Sequence, residues 1–397
     1  MTSAPSVRLA VVLSHPTQYY SPWFRWLRAH TALELRVFYL WQAGVSAQPD
    51  PEFLKTFQWD VDLLSGYEHE FVPNVARSPG SDRFWGLRNP TLTSRLAEWR
   101  PEAVLLFGYA YATHLRLILW ARRRGVPLVF RGDSHLLGRP SPGGWQVGLL
   151  RLLYRQFAAV TWVGKANRDY FATLGVPANR LFFAPHAVNH ELFNPARPEH
   201  QAAAAALRRE LGIASTTRVV LFAGKFLPAK QPRELLEAFL SLHLPGTALV
   251  MVGDGPESAA LRERARASPG GGVYFLPFAN QSEMPARYLL ADVFVLPSRG
   301  LYETWGLAVN EAMHLGLPCL VSDRVGCQQD LVSDGETGWV FRADDPAHLR
   351  VKLSAALTAD LAGFKPRVVA RVAGYTYAHA TSGLLAALNS LPRRPPA

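Results

Sequence analysis

Ser298-Arg299-Gly300-Leu301-Tyr302-Glu303-Thr304-Trp305-Gly306-Leu307-Ala308-Val309-Asn310-Glu311-Ala312-Met313 follows an apolar run, Asp292-Val-Phe-Val-Leu-Pro297. The run reads as a buried strand and the Ala-Met-His-Leu-Gly after Glu311 as helix, so Gly306 marks a strand-to-helix turn. Such a turn leaves backbone N–H groups free at the helix start, where an anion docks. Glu303 lies in the turn, and Glu311 sits eight positions on, more than one turn up the helix. Carboxylates beside an anion site repel phosphate, so these two are placed to accept hydrogen bonds from hydroxyls. A diphosphate with ribose at one end and hexose at the other, a nucleotide-sugar, has that chemistry.

Outward from this stretch, strand and helix alternate through the chain. Val7–Leu13, Leu33–Leu40, Ala103–Phe107, Pro127–Arg131, Val160–Gly164 and Leu181–Pro185 read as strands in the first half. The second half repeats the scheme at Arg218–Ala223, Ala248–Val252, Val273–Leu276, Val293–Pro297 and Pro318–Ser322. Short apolar runs between amphipathic helices predict parallel sheets covered on both faces. The expected class is α/β, two Rossmann-like doubly wound domains facing across a cleft. Residues 1–194 form the first domain, 195–212 an alanine-rich linker, and 213–374 the second. A last helix within 375–392 is assigned to the first domain. Ligands in such sheets bind beyond the carboxyl ends of the strands, here in the cleft.

At 397 residues the chain is too long for one ordinary core. Two cysteines, Cys319 and Cys327, offer neither a disulfide framework nor zinc spacing, and a reducing cytoplasm is expected. The apolar run Leu9–Leu13 is too short for a signal peptide, and Ala103–Ala121 is broken by Gly108, His114 and Arg116, against a membrane span. Net charge is +11, and residues 1–200 carry 22 Lys+Arg against 14 Asp+Glu. A basic first half favours anionic partners, whether a phosphorylated acceptor or an acidic membrane face. Arg outnumbers Lys 36 to 6, so coding bias explains the excess equally well. No nucleic-acid motif or aromatic stacking track is present.

The second half resembles the retaining glycosyltransferases of family four, which have the GT-B fold. The resemblance rests on Phe222-Ala-Gly224-Lys225-Phe-Leu-Pro-Ala-Lys230, Val250-Met-Val-Gly253-Asp-Gly255-Pro, Ala291-Asp-Val-Phe-Val-Leu-Pro-Ser298, the Glu303/Glu311 pair and Gly335-Glu-Thr-Gly338. It implies that Lys225 and Lys230, next to Gly224, hold the donor diphosphate and stabilise its leaving charge without a metal. It further implies that Glu303 contacts the hexose and that Glu311 accepts the ribose hydroxyls. The backbones of Thr304, Trp305, Gly306 and Leu307 would meet sugar and diphosphate. Phe278 and Ala279 would lie at the nucleobase, with Asn280 reading its polar edge. The apolar neighbours of Glu311 independently predict a half-buried carboxylate that needs a partner. Trp305 fits an aromatic wall or a structural core residue equally.

The first half resembles the family in layout only. Ser14-His15-Pro16-Thr17-Gln18-Tyr19-Tyr20 replaces the family's glycine-rich loop, leaving His15 and Gln18 to act through side chains. Gly132 stands where most members have histidine, which leaves Asp133 and His135 as catalytic candidates and Arg131 on the acceptor side. Tyr109 and Tyr111 complete the acceptor-side set. Pro185-His-Ala-Val-Asn189 departs from the family's interdomain turn. The helix expected over Trp145–Phe157 carries Arg151 and Arg155 on one face; this fits a core helix better than an interfacial one, with peripheral contact at the inner membrane face as the second reading. The expected function is hexose transfer from a nucleotide-diphosphate sugar to a saccharide, lipid-linked or small-molecule acceptor. No cofactor or metal is expected: Asp344-Asp345 lies outside the motifs. A sugar-nucleotide epimerase of the same architecture and a silent partner subunit stay open.

Overall fold

The computed structural model describes residues 7–45, 48–50, 55–138, 143–268, 271–300 and 303–392, with 48–50 and 55–57 as backbone; Leu301, Tyr302 and the proline-rich tail lie outside. The first sheet contains β1 (Arg8–Leu13), β2 (Glu34–Tyr39), β5 (Glu68–Phe71), β6 (Ala103–Phe107), β7 (Leu128–Arg131), β8 (Ala159–Trp162) and β9 (Leu181–Phe183). A short antiparallel pair, β3 (Gln48–Asp50) and β4 (Lys55–Phe57), stands apart from it. The second sheet contains β10 (Arg218–Ala223), β11 (Thr247–Val252), β12 (Val273–Leu276), β13 (Val293–Leu296), β14 (Cys319–Ser322) and β15 (Gly338–Phe341).

Strand order is β5-β2-β1-β6-β7-β8-β9 in one sheet and β12-β11-β10-β13-β14-β15 in the other, and every pairing is parallel. Each order reverses beside its first strand, between β1 and β6 and between β10 and β13. A crevice opens at such a switch point, so the loops after β1, β6, β10 and β13 are where a ligand settles. The residues of the central strands, such as Val11, Leu105, Leu221 and Val295, are wholly buried, as parallel strands covered on both faces require.

The two domains meet at an apolar hinge, where Val163 and Val188 share a core cluster with Trp305, Val309 and Val325. The helix Tyr377–Asn389 returns to the first domain: the Trp23 indole donates to Thr381 Oγ1 at 3.1 Å, and a Cβ on Gly383 would lie 1.8 Å from the Phe183 carbonyl. Residues 195–212 differ from the expected linker. They form the helix Pro198–Glu210, which buries Ala204 in the second domain's core. Alanine has the highest helix propensity, and Pro198 at the first turn starts the helix.

Candidate active site in the interdomain cleft

The site is built from the loops at the two switch points. After β13, Gly306 takes φ +99°, and a Cβ there would stand 2.9 Å from Val325, so only glycine starts the helix Leu307–His314 at this angle. The loop after β10 is pressed against the loop after β11: a Cβ on Gly253 would meet the Gly224 carbonyl at 2.0 Å. These contacts fix Gly224 and the half-buried Lys225 next to it.

The structure gathers the expected residues into two adjoining groups. The first surrounds a cavity of about 150 Å³ lined by Gly224, Phe278, Ala279, Ala308 and Glu311 of the second domain and Gln18, Tyr19 and Trp59 of the first. Glu311 is 4% exposed and accepts from Tyr19 Oη at 3.1 Å, Gln281 Nε2 at 2.9 Å and Tyr288 Oη at 2.8 Å. Burial raises its pKa above the ordinary 4.5, against the lowering effect of those three donors. Tyr19 thus ties the first domain to a buried carboxylate of the second across the cleft.

The second group is a polar lip. Lys230 pairs with Glu303, whose Oε2 also accepts from Ser298 Oγ at 2.9 Å. Thr304 Oγ1 donates to Asp133 Oδ2 at 2.8 Å, and His186 Nε2 lies 3.5 Å from the same oxygen. Burial works to raise the Asp133 pKa, but His186 and Thr304 outweigh it and hold the group down at about 2. His186 is 3% exposed, and burial lowers its pKa despite the carboxylate beside it.

Several expected roles meet side chains engaged elsewhere. Arg131 is 2% exposed; its guanidinium donates to the carbonyls of Ala184 (2.9 Å) and Pro185 (3.2 Å) and lies 4.8 Å over the Trp23 ring. It fastens the interdomain turn and is not offered to an acceptor. Replacing Arg131 with alanine orphans two carbonyls and leaves a void, so a loss of about 3 kcal/mol in urea unfolding is expected. His135 is 1% exposed, with Nδ1 accepting from Leu137 N–H at 3.0 Å and Nε2 at 3.4 Å from the Glu303 carbonyl, so it supports the Glu303 turn. Tyr109 packs edge-on against Tyr154 beneath the first sheet's helices, and Tyr111 donates to the Ser81 carbonyl at 3.0 Å. His15 packs beside Trp41, and burial lowers its pKa to about 4, leaving it neutral near pH 7. Trp305 is 2% exposed, stacks on Tyr375 and donates to Asn310 Oδ1 at 2.7 Å; it is core, not an aromatic wall. Leu307 begins its helix beside Gly306.

Asn280 is engaged with the first domain: its amide donates to the Gln58 carbonyl at 2.7 Å and accepts from Asp60 N–H at 3.3 Å. Ser282 adds a hydroxyl contact to Asp60. Sequence reading did not single out Tyr19, Trp59, His186, Gln281 or Tyr288. Only the side-chain substitution for glycine after β1 pointed toward Tyr19. Among the described residues, no group of three or more His, Cys, Asp or Glu is placed to hold a metal, and no helix is long and apolar enough to cross a membrane.

Residues 204–367 match the family model described as glycosyl transferases group 1. The D-inositol 3-phosphate glycosyltransferase of Nocardia farcinica is 29% identical over 349 residues, covering 79% of this chain and 74% of that protein. A GDP-mannose-dependent alpha-(1-6)-phosphatidylinositol monomannoside mannosyltransferase of Mycolicibacterium smegmatis is 32% identical over 204 residues, covering 49% of this chain and 52% of that one. The solved structure of Anabaena Alr3699/HepE in complex with UDP and glucose superposes with a TM-score of 0.70 at 16% identity, covering 97% of this chain and all of that one. Residues 204–367 thus carry the likeness to the glycosyl transferases group 1 family, and the chain as a whole has the GT-B fold.

Proposed function

We propose that this protein moves a hexose from a nucleotide-diphosphate sugar to a hydroxyl acceptor with retention, without a metal, in glycan, glycolipid or cell-surface polysaccharide assembly on the cytoplasmic side of a membrane. One observation carries the reading: Thr304, next in sequence to the Glu303 that pairs with Lys230 and just before the helix Leu307–His314, bonds across the cleft to Asp133, which His186 also approaches, while a neighbouring cavity is lined by Glu311. In this reading Lys225 and Lys230 take the charge that grows on the leaving diphosphate, and the helix start adds its N–H groups. Glu303 contacts the hexose, and Glu311 accepts from the ribose.

A carboxylate has about four lone-pair sites, and three donors already approach Glu311. A ribose diol therefore displaces Tyr19 or Gln281 on entry. Asp133, held near a pKa of 2, is too weak a base to take the acceptor's proton. A same-face route, with the departing phosphate accepting that proton, is the better fit. The names of the inositol-directed relatives and the UDP and glucose in the Anabaena structure support a nucleotide-sugar donor and an inositol-type or lipid-linked acceptor.

A thermal-shift panel of UDP-, GDP- and ADP-sugars is expected to single out one donor, since a ligand of the folded state raises its apparent stability. Incubation of that donor with a hydroxyl acceptor is expected to give a retained glycoside. Conversion of the donor with no acceptor present would instead identify an epimerase, and no shift with any nucleotide a silent partner.

A further inference from the structure

We propose that the outer helical face of the first domain is a docking surface for an anionic lipid bilayer, centred on the helix Gly144–Tyr154. That helix is apolar on two sides. Tyr154 is buried and Val147 and Leu150 are half-buried against the core, whereas Trp145, Leu149 and Leu152 are 71%, 59% and 57% exposed. The outer three fall at i, i+4 and i+7, one continuous stripe. A helix that satisfies only one of two apolar faces within its own fold has a second surface to cover.

The neighbouring helix Ala112–Arg124 covers the same face of the sheet and likewise presents Leu115 and Leu119, 42% and 53% exposed. Of the ten exposed large hydrophobic residues among those described, eight lie between Val75 and Leu152. Ordinary surface scatter would not gather them on one domain.

Charge complementarity selects the occupant. The two helices, with Arg155 at the end of the second, carry Arg116, Arg122, Arg123, Arg124, Arg151 and Arg155 and no acid. Arg151 and Arg155 flank the apolar stripe and, with Arg180, line a recess of about 190 Å³ that has no carboxylate in its wall. Arg180 Nη1 donates to the Phe157 carbonyl at 3.0 Å, while its buried Nε has no hydrogen-bond partner. A lipid phosphate suits that recess, and the adjoining Leu149 and Leu152 suit the acyl boundary. Both helices start at the carboxyl ends of their strands, so Trp145 lies toward the same edge as the cleft. Docking needs no transferase activity, and its failure would leave the proposed function standing.

The test is co-sedimentation of the full chain with phosphatidylcholine vesicles and with equal parts phosphatidylcholine and phosphatidylglycerol, at low and high salt. Binding is expected only to the anionic vesicles, weakening with salt. Leu149→Ser with Leu152→Ser, and separately Arg151→Glu with Arg155→Glu, should each weaken it about tenfold or more, with the unfolding midpoint and the nucleotide-sugar thermal shift unchanged. These four side chains are exposed, so misfolding does not confuse the outcome. The proposal is overturned by equal binding to both vesicles, by no binding, or by serine variants that bind like wild type. It is equally overturned if heparin binding or self-association, rather than vesicle binding, is what the serine substitutions abolish.

Discussion

Replacing Lys230 with alanine is expected to cut glycosyl transfer turnover by about 100- to 1,000-fold while the protein stays folded. Lys230 ends the short turn Pro228–Lys230, and its ammonium pairs with Glu303 at the lip of the cleft. Both side chains are largely shielded, at 22% and 13% exposure, so water does not screen the charge as it would on an open surface. A cation there matters most when negative charge develops on a departing diphosphate, so kcat should fall more than donor affinity. Lys230→Arg keeps the charge in a broader, planar group and should restore part of the turnover. Steady-state kinetics with the donor found by thermal shift separates kcat from KM; an alanine variant with unchanged turnover removes Lys230 from the mechanism.

Glu311 is expected to give the larger effect on binding. Its carboxylate is the meeting point of Tyr19, Gln281 and Tyr288, and truncation to alanine strands all three donors. Donor affinity should fall about 100-fold, the scale of one or two lost hydrogen bonds to a charged acceptor, and unfolding stability by about 2–4 kcal/mol. The pH dependence carries a distinct signature. Because burial raises the Glu311 pKa in the folded state, this group's stabilising contribution is complete below the unfolded value of 4.5 and is lost as pH rises through the folded value. In the proposed role, ribose binding would need the ionised form and so behave oppositely, weakening as pH falls from neutral toward 4.5. Calorimetric titration of the donor across this range should show the decline, and Glu311→Gln should flatten it.

Much of the fold was readable because parallel strands buried on both faces must be short apolar runs, and most of the central strands of both sheets are such runs. β5 was not, since Glu68-His-Glu-Phe71 is an edge strand with two exposed positions and no apolar signature. β15 was read only as a glycine motif: a Cβ on Gly338 would stand 1.9 Å from the Cys319 carbonyl, so that glycine serves strand approach. The second-domain half of the candidate site was legible because Gly306, Glu303 and Glu311 are tied by local spacing along one turn and one helix. The first-domain half was not. Arg131 and His135 are polar residues at a strand end, a pattern shared by ligands and by structural anchors, and only packing distinguishes them. Asp133 and His186 are 53 residues apart in sequence and meet only because β7 and the turn after β9 end on the same edge.

The most direct test of the account is the crystal structure of the full chain with the nucleotide-sugar that most raises its melting temperature. The diphosphate should touch Lys225, Lys230 and the backbone at the start of Leu307–His314, with the ribose on Glu311 and Tyr19 or Gln281 moved aside. A donor seated elsewhere, with Lys230 still closed on Glu303 and the Tyr19–Glu311 bond intact, would contradict it.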